Sequence, residues 1–207
     1  EVSTNLLKAV STDGHRLALC NAEIQVEVES RIQAIVPRKG VLELAKLFAD
    51  VDSDVSVALS PNHIRVESTD LRFTSKLIDG KFPDYERVLP KNSDKTVLSD
   101  KNEMKQCFSR VSILSNEKYR GVRLRLVSGS LTTVANNPEQ EEAEETINVD
   151  YEGNELEIGF NVNYLLDVMN VIRSETVKIQ LADSNSSALV TDATDDSAMY
   201  VVMPMRL

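Results

Sequence analysis

The sequence predicts an α+β fold in two domains, assembled from a repeated β-α-β-β-β unit. Three observations carry this reading. Short strand-like segments recur at regular intervals, three segments interrupt them with helical spacing, and the same succession of strand, helix and strands returns along the chain.

In order, Leu6–Ser11, Arg16–Cys20 and Ile24–Glu29 read as strands separated by compact polar turns. IQVEVE (Ile24–Glu29) alternates strictly apolar and polar, as a half-buried strand does. A first helix is predicted over Arg38–Ala49, with Val41, Leu44, Ala45 and Phe48 on one face. VSVALS (Val55–Ser60), IRVEST (Ile64–Thr69) and LRFTSKLI (Leu71–Ile78) follow as strands, the first two joined by a Ser60-Pro61-Asn62-His63 hairpin turn.

A second helix spans Asp100–Leu114, striped by Met104, Cys107, Phe108, Val111 and Leu114, with Asp100 as N-cap. VRLRLV (Val122–Val127), LTTVAN (Leu131–Asn136) and INVDY (Ile147–Tyr151) are the strands after it. The third helix, Asn161–Ile172, carries Val162, Leu165, Leu166, Val168, Met169 and Ile172 behind an Asn161 N-cap. IVPRKGVLELAKLF (Ile35–Phe48) and IGFNVNYLLDVMNVI (Ile158–Ile172) occupy equivalent places in the repeat. The turn-rich DGKFPDYERVLP (Asp79–Pro90) separates a domain at 1–84 from one at 85–207.

A chain of 207 residues, 42% hydrophobic and 27% charged, has the composition of an ordinary globular protein. No apolar run approaches the roughly 18 residues that span a bilayer. No charged-then-apolar leader opens the chain, so the expected location is the cytoplasm. The net charge of −10 argues against gripping nucleic acid with the whole surface, but leaves room for a local basic face. Cys20 and Cys107 form no C-x-x-C pattern and read as buried thiols. With His15 and His63 the only histidines, no metal site and no cofactor is expected. Glycine-rich phosphate loops, nucleophile elbows and H-E-x-x-H are all missing, so no catalytic residue is assigned.

Four motifs stand out. STDGHRLALC (Ser11–Cys20) makes a tight turn, which a hairpin with Gly14 at positive φ explains; a catalytic His15 would need a nucleophile and an orienting acid. DGKFPDYERVLP reads equally as an aromatic-anchored linker or as a pocket wall. NNPEQEEAEE (Asn136–Glu145) is a solvated run or an acidic docking edge, and lacks the glycine and alternation of a calcium loop. SAMYVVMPMRL (Ser197–Leu207) is a strand tucked into the core or a methionine-lined adaptable groove.

STDGHRLALC, VPRKGVLEL (Val36–Leu44), FTSKLIDGKFPDYERVLP (Phe73–Pro90), LSNEKYRGVRL (Leu114–Leu124), NNPEQEEAEE, IGFNVNYLLDV (Ile158–Val168) and YVVMPMRL (Tyr200–Leu207) together resemble the bacterial DNA polymerase III beta subunit, the sliding clamp. They run in the family's order over essentially the whole chain. The resemblance implies the DNA-clamp fold, with sheets outside and helices lining the inner face. It matches the family's middle domain, without its opening helix and strand, followed by the C-terminal domain; an N-terminal domain has no counterpart here.

The resemblance further implies a peptide-binding cleft for polymerases, the clamp loader and repair proteins. Its matching positions are Thr12, Gly14, His15, Arg16, Leu17, Pro83, Arg87, Val88, Asn161, Tyr164, Ser187 and Val201, Val202, Met203, Pro204, Met205, Arg206 and Leu207. Tyr119 is similar to a family aromatic near the cleft, and Asn185 replaces a residue that is often apolar. Ile113, Leu114, Glu141, Glu142, Glu144 and Glu145, in a run that also holds Glu139, look like half of a head-to-tail homodimer interface. On the helices, Arg38, Lys39, Lys46, Lys101, Lys105 and Arg110 are the candidates to face the phosphates of encircled duplex DNA. A β-rich peptide-binding module with no DNA encirclement is the alternative reading, and neither involves a membrane.

Overall fold

The computed structural model describes residues 1–206, so the expectation at Leu207 lies outside the described residues. The chain divides into two compact units: residues 1–7 with 23–84, and residues 8–22 with 85–207. The second unit thus includes residues 8–22 from early in the chain.

The second unit shows the repeat twice. Strand β7 (Lys95–Asp100) leads into helix α2 (Lys101–Val111) and strands β8 (Gly121–Val127), β9 (Ser130–Asn136) and β10 (Glu142–Asn148). Strand β11 (Leu156–Asn161), helix α3 (Val162–Val171) and strands β12 (Thr176–Leu181), β13 (Ala188–Asp192) and β14 (Ala198–Val202) repeat the succession. Each half lends its first strand to the other half's sheet. β11 pairs with β8 in the order β10-β9-β8-β11, and β7 pairs with β12 in a sheet that continues through β13 and β14 to β3 (Arg16–Glu23).

Between these sheets lies the core. Met104, Cys107, Phe108 and Val111 of α2 and Val162, Leu165, Val168 and Met169 of α3 are buried, and α2 packs on α3. Both predicted caps form: Asp100 accepts from the Glu103 N–H at 2.8 Å, and Asn161 from the Asn163 N–H at 2.9 Å. The helices stop short of their predicted ends. Ser112–Leu114 tightens into a 3-10 turn with Leu114 half-buried, and Ile172 is buried just past α3.

The first unit holds β1 (Val2–Ser3), the start of β2 (Leu6–Thr12), α1 (Arg38–Leu47) and the antiparallel strands β4 (Ser56–Leu59), β5 (His63–Glu67) and β6 (Arg72–Lys76). Helix α1 approaches β6 at Gly40, where an added Cβ would stand 3.1 Å from the Ser75 Oγ. That contact turns Gly40, Leu44 and Phe48 inward at a spacing of four, and leaves Val41 and Ala45 of the predicted stripe exposed.

Other expectations need correction. Ile24–Glu29 is not a strand, despite its alternation. Asn5, in the left-handed region at φ 59°, donates to the Val26 carbonyl and accepts from the Ile24 N–H, so its segment turns away before a ladder can form. No strand therefore immediately precedes α1; only an isolated Val2–Ile32 bridge lies in between. The strand expected at Ile147–Tyr151 begins at Glu142, which puts Glu142, Glu144 and Glu145 of the acidic run on β10. Cys107 is buried, but Cys20 is exposed, because it shares the outward face of β3 while Leu17 and Leu19 point inward.

One buried carboxylate closes the end of the second sheet. Asp192 accepts from the N–H groups of Ser174 and Thr194 and from the Thr194 hydroxyl, each at 2.9 Å. Hydrogen bonds from Ser174 and then Thr194 outweigh burial and hold its carboxyl well below the usual range. A depressed acid stabilises the fold fully above its unfolded pKa of about 4, and that contribution fades as pH falls through and below it. Asp192→Ala is expected to cost about 1–3 kcal/mol at pH 7, the penalty of orphaned buried donors. Urea denaturation from pH 7 to pH 2 should show the gap to wild type closing below about pH 4.

Candidate functional site

The site expected around Ser11–Leu17 is built on the hairpin that joins β2 to β3. Thr12 donates through its hydroxyl to the Arg16 carbonyl at 2.7 Å and accepts from the Gly14 N–H at 3.1 Å. Asp13 accepts from the N–H groups of His15 and Arg16, both at 3.0 Å. Gly14 completes the turn at φ 87°. These short polar side chains stand in for a backbone ladder and fix the direction in which His15 and Arg16 leave the turn.

Arg16 then reaches helix α3. Its Nε donates to Asp13 at 3.1 Å, its Nη1 donates to Asp167, and its guanidinium carbon lies 4.4 Å from the centre of the Tyr164 ring. His15 stacks against the same aromatic, with ring centres 6.5 Å apart and planes 26° apart. Burial opposes the charge on Arg16, but bonds to Asp167 and Asp13 raise its pKa above the ordinary arginine value. Burial likewise works against ionised Asp13, while bonds from His15 and Arg16 hold its pKa low.

The chain's last described strand delivers the third component. β14 pairs antiparallel with β3, with Val201 opposite Leu17 and Val202 opposite Arg16. Beyond it, the Met203 N–H donates to the His15 carbonyl at 3.0 Å and the Met205 N–H to the Gly159 carbonyl at 2.8 Å. Met203, Pro204 and Met205 are half-buried and Arg206 is exposed. Leu17, Val201 and Val202 are buried, so their side chains back this surface while Met203–Met205 face out of the core.

The remaining cleft candidates lie on separate features. Asn161, the α3 cap, also donates to the Tyr119 carbonyl at 3.2 Å, which ties the exposed Tyr119 to the helix start. Ser187 is half-buried just before β13; Asn185 is exposed in a turn set by Asp183. Arg87 ends the 3-10 turn Tyr85–Arg87, and Val88 follows with its N–H on the Tyr85 carbonyl at 3.0 Å. Pro83 belongs to the first unit and is exposed. Asp167 was not singled out from sequence. Its signal was present: it stands three residues after Tyr164, on the same helix face.

The acidic and basic candidates are partly coupled. Arg110 grips Glu145 with two nitrogens, Nε to Oε2 at 2.9 Å and Nη2 to Oε1, so these two form one ion pair. Lys101 donates to the Ile172 carbonyl at 3.1 Å and helps close the end of α3. Lys46 stands 3.9 Å from Glu43, while Arg38 and Lys39 are exposed and Lys105 is half-buried. Glu141 closes the turn before β10 with Asn137, and Glu139, Glu142 and Glu144 are exposed. Ile113 is 75% exposed on the 3-10 turn, an outlying value for isoleucine. No cluster of metal-ligating side chains occurs among the described residues, and no described helix is long and apolar enough to cross a membrane.

Comparison with known proteins gives the family and the fold. Residues 1–84 match the family model "DNA polymerase III beta subunit, central domain", and residues 86–206 match "DNA polymerase III beta subunit, C-terminal domain". A beta sliding clamp of Pseudomonas putida is 62% identical over 207 residues, covering 100% of this chain and 56% of the relative. That of Escherichia coli K12 is 53% identical over 201 residues, 97% of this chain and 55% of the relative. The chain thus spans about half the length of the curated relatives it matches. Among solved structures, a ligand-bound sliding clamp from Pseudomonas aeruginosa superposes with a TM-score of 0.98 at 57% identity, covering 100% of this chain and 56% of that one. A clamp from the same organism bound to griselimycin gives 0.97 at 57% identity, with the same coverage.

The hairpin geometry sets a simple test. An added Cβ at Gly14 meets nothing within 4 Å, so substitution there is opposed by backbone conformation alone. Gly14→Ala should destabilise the folded chain by about 1–2 kcal/mol. Gly14→Asn should cost less, since asparagine tolerates the left-handed region. Thermal and urea denaturation read the difference.

Proposed function

The chain belongs to the DNA polymerase III beta subunit family, and from that premise we propose that it is the peptide-binding and DNA-facing part of a sliding clamp. In this reading the protein is a non-catalytic processivity factor. A ring of such subunits encircles duplex DNA, and short hydrophobic peptides of polymerases, the clamp loader and repair proteins dock beside the Thr12–Arg16 turn. The observation that carries it is the meeting of that turn, Tyr164 of α3 and Met203–Met205 within the second unit.

The chemistry suits such a ligand. Methionines and proline supply an adaptable apolar surface, Tyr164 a flat amphipathic one, and exposed His15 and Arg206 a polar rim. Backbone bonds from Met203 and Met205 hold the apolar segment in place before a ligand arrives, which lowers the ordering cost of binding. Relatives with a ligand and with griselimycin bound support the view that a protein of this family takes a ligand. Arg87, Val88, Ser187 and Tyr119, all of the second unit, are proposed as its outer contacts.

For the DNA role the mechanism is topological. A closed ring stays on a long duplex without tight contacts, so a few cations on helices suffice to centre the phosphates and permit sliding. Arg38, Lys39, Lys46, Lys101, Lys105 and Arg110 are proposed for this, and the net charge of −10 discourages adhesion elsewhere. Ile113, Leu114 and the glutamates from Glu139 to Glu145 are proposed as this chain's half of the head-to-tail dimer contact. The apolar tip would be desolvated and the acidic strand would set register against a basic partner face. The proposed setting is the cytoplasm.

The test is calorimetry with a short peptide carrying a glutamine followed by spaced leucine and phenylalanine. Binding is expected near the micromolar range, about −8 kcal/mol. Met203→Ala with Pro204→Ala should weaken it by roughly tenfold or more, the loss of one apolar anchor. Unchanged affinity in that folded variant would remove the cleft assignment.

A further inference from the structure

Two acidic side chains converge on Arg16, and they are not equivalent. Asp13 is committed to the turn, where its Oδ1 accepts from two backbone N–H groups. Asp167 is 59% exposed, and its carboxylate has no partner among the described residues besides Arg16. It caps no helix and closes no turn. An exposed pair of this kind adds little to stability, so its effect is felt in where the guanidinium lies and what charge it presents.

Helix α3 supplies the geometry. Tyr164 and Asp167 stand one turn apart on the same face, an aromatic ring beside a carboxylate. Arg16, arriving from β3, is drawn across the ring by Asp167 at one end and Asp13 at the other. Asp13 and Asp167 against Arg16 make a formal local charge of −1. The arginine is therefore spent: it offers a flat, stacked surface instead of a free cation.

We propose that Asp167 is the specificity-determining positioning residue of this surface, holding Arg16 over Tyr164 and cancelling its charge so that apolar ligand side chains are accepted there and acidic ones rejected. This rests on the peptide-binding reading above. Asp167→Asn keeps size and one acceptor oxygen but removes the charge, which leaves Arg16 with Asp13 alone and its Nη1 end open to an acidic ligand group. Asp167→Glu restores the charge.

The experiment uses the peptide described above in paired forms, with Asp or Asn at each position in turn, titrated into wild type, D167N and D167E. At the position nearest Arg16, D167N should move the Asp-to-Asn affinity ratio toward Asp by about fivefold, the effect of one unit charge at ~4 Å in near-aqueous surroundings. D167E should return the ratio to the wild-type value, and added salt should compress the change. Identical ratios in wild type and D167N at every position overturn the proposal while leaving the peptide-binding reading intact. Failure of every peptide to bind wild type overturns both. A readout free of peptide is the NMR signal of the Arg16 Nε–H, which should shift and broaden in D167N; an unmoved signal also sinks the positioning role.

Discussion

Everything in the second unit turns on the place of strand β14. It lies between β13 and β3, hydrogen-bonded on both sides, although those neighbours are far apart in the sequence. Its register puts Leu17 opposite Val201 and Arg16 opposite Val202. With a side-chain period of two, a slip of one residue would turn Val202 and the segment after it to the opposite face. The same ladder that completes the sheet therefore aims Met203 at the His15 carbonyl and Arg16 at α3. The sheet and the meeting of Arg16, Tyr164 and Met203 are consequences of one pairing.

The exchange of first strands explains why that pairing is firm. Because β7 joins the sheet of the second half and β11 that of the first, neither half completes its sheet alone. α2 and α3 fill the space between, and Phe108, Met104, Phe160 and Met169 are almost wholly buried there. α3 belongs to both sides of the story. Its inward face is core, and its outward face carries Tyr164 and Asp167 to the hairpin. A rigid helix thus positions the two side chains that receive Arg16, more precisely than a loop would.

Much of this was legible in the residues. The spacing of Met104, Cys107, Phe108 and Val111 marks a helix because nothing else buries every third and fourth side chain. Asp100 and Asn161 mark starts because their side chains satisfy orphan N–H groups. Gly14 marks the turn because its backbone demands it. What failed to show was long-range. Ile24–Glu29 has the alternation of a strand, but a strand needs a partner, and Asn5 turns the candidate partner aside. The inward face of α1 does not show in its apolar stripe because Gly40, with no side chain to count, sets the contact face. Asp167 does not show for a similar reason: an exposed aspartate on a helix is ordinary until Arg16 arrives from a hairpin 151 residues away. The repeat and the turn chemistry are local facts, whereas the proposed ligand surface depends on non-local pairing.

The insertion of β14 beside β3 also has a kinetic side. Joining residues 16–20 to residues 198–202 closes a loop that holds most of the chain. Its entropy is lost before the ladder yields its full stabilisation, which is the signature of slow, high-contact-order assembly. Until that closure, β13 and β3 each show an unpaired edge, and such edges invite pairing with other chains. The hairpin turn has its own local bonds and needs none of this; the arrangement of Arg16, Tyr164 and Met203 does. That arrangement is therefore a late property of folding, gained in the step that removes the sheet's open edges.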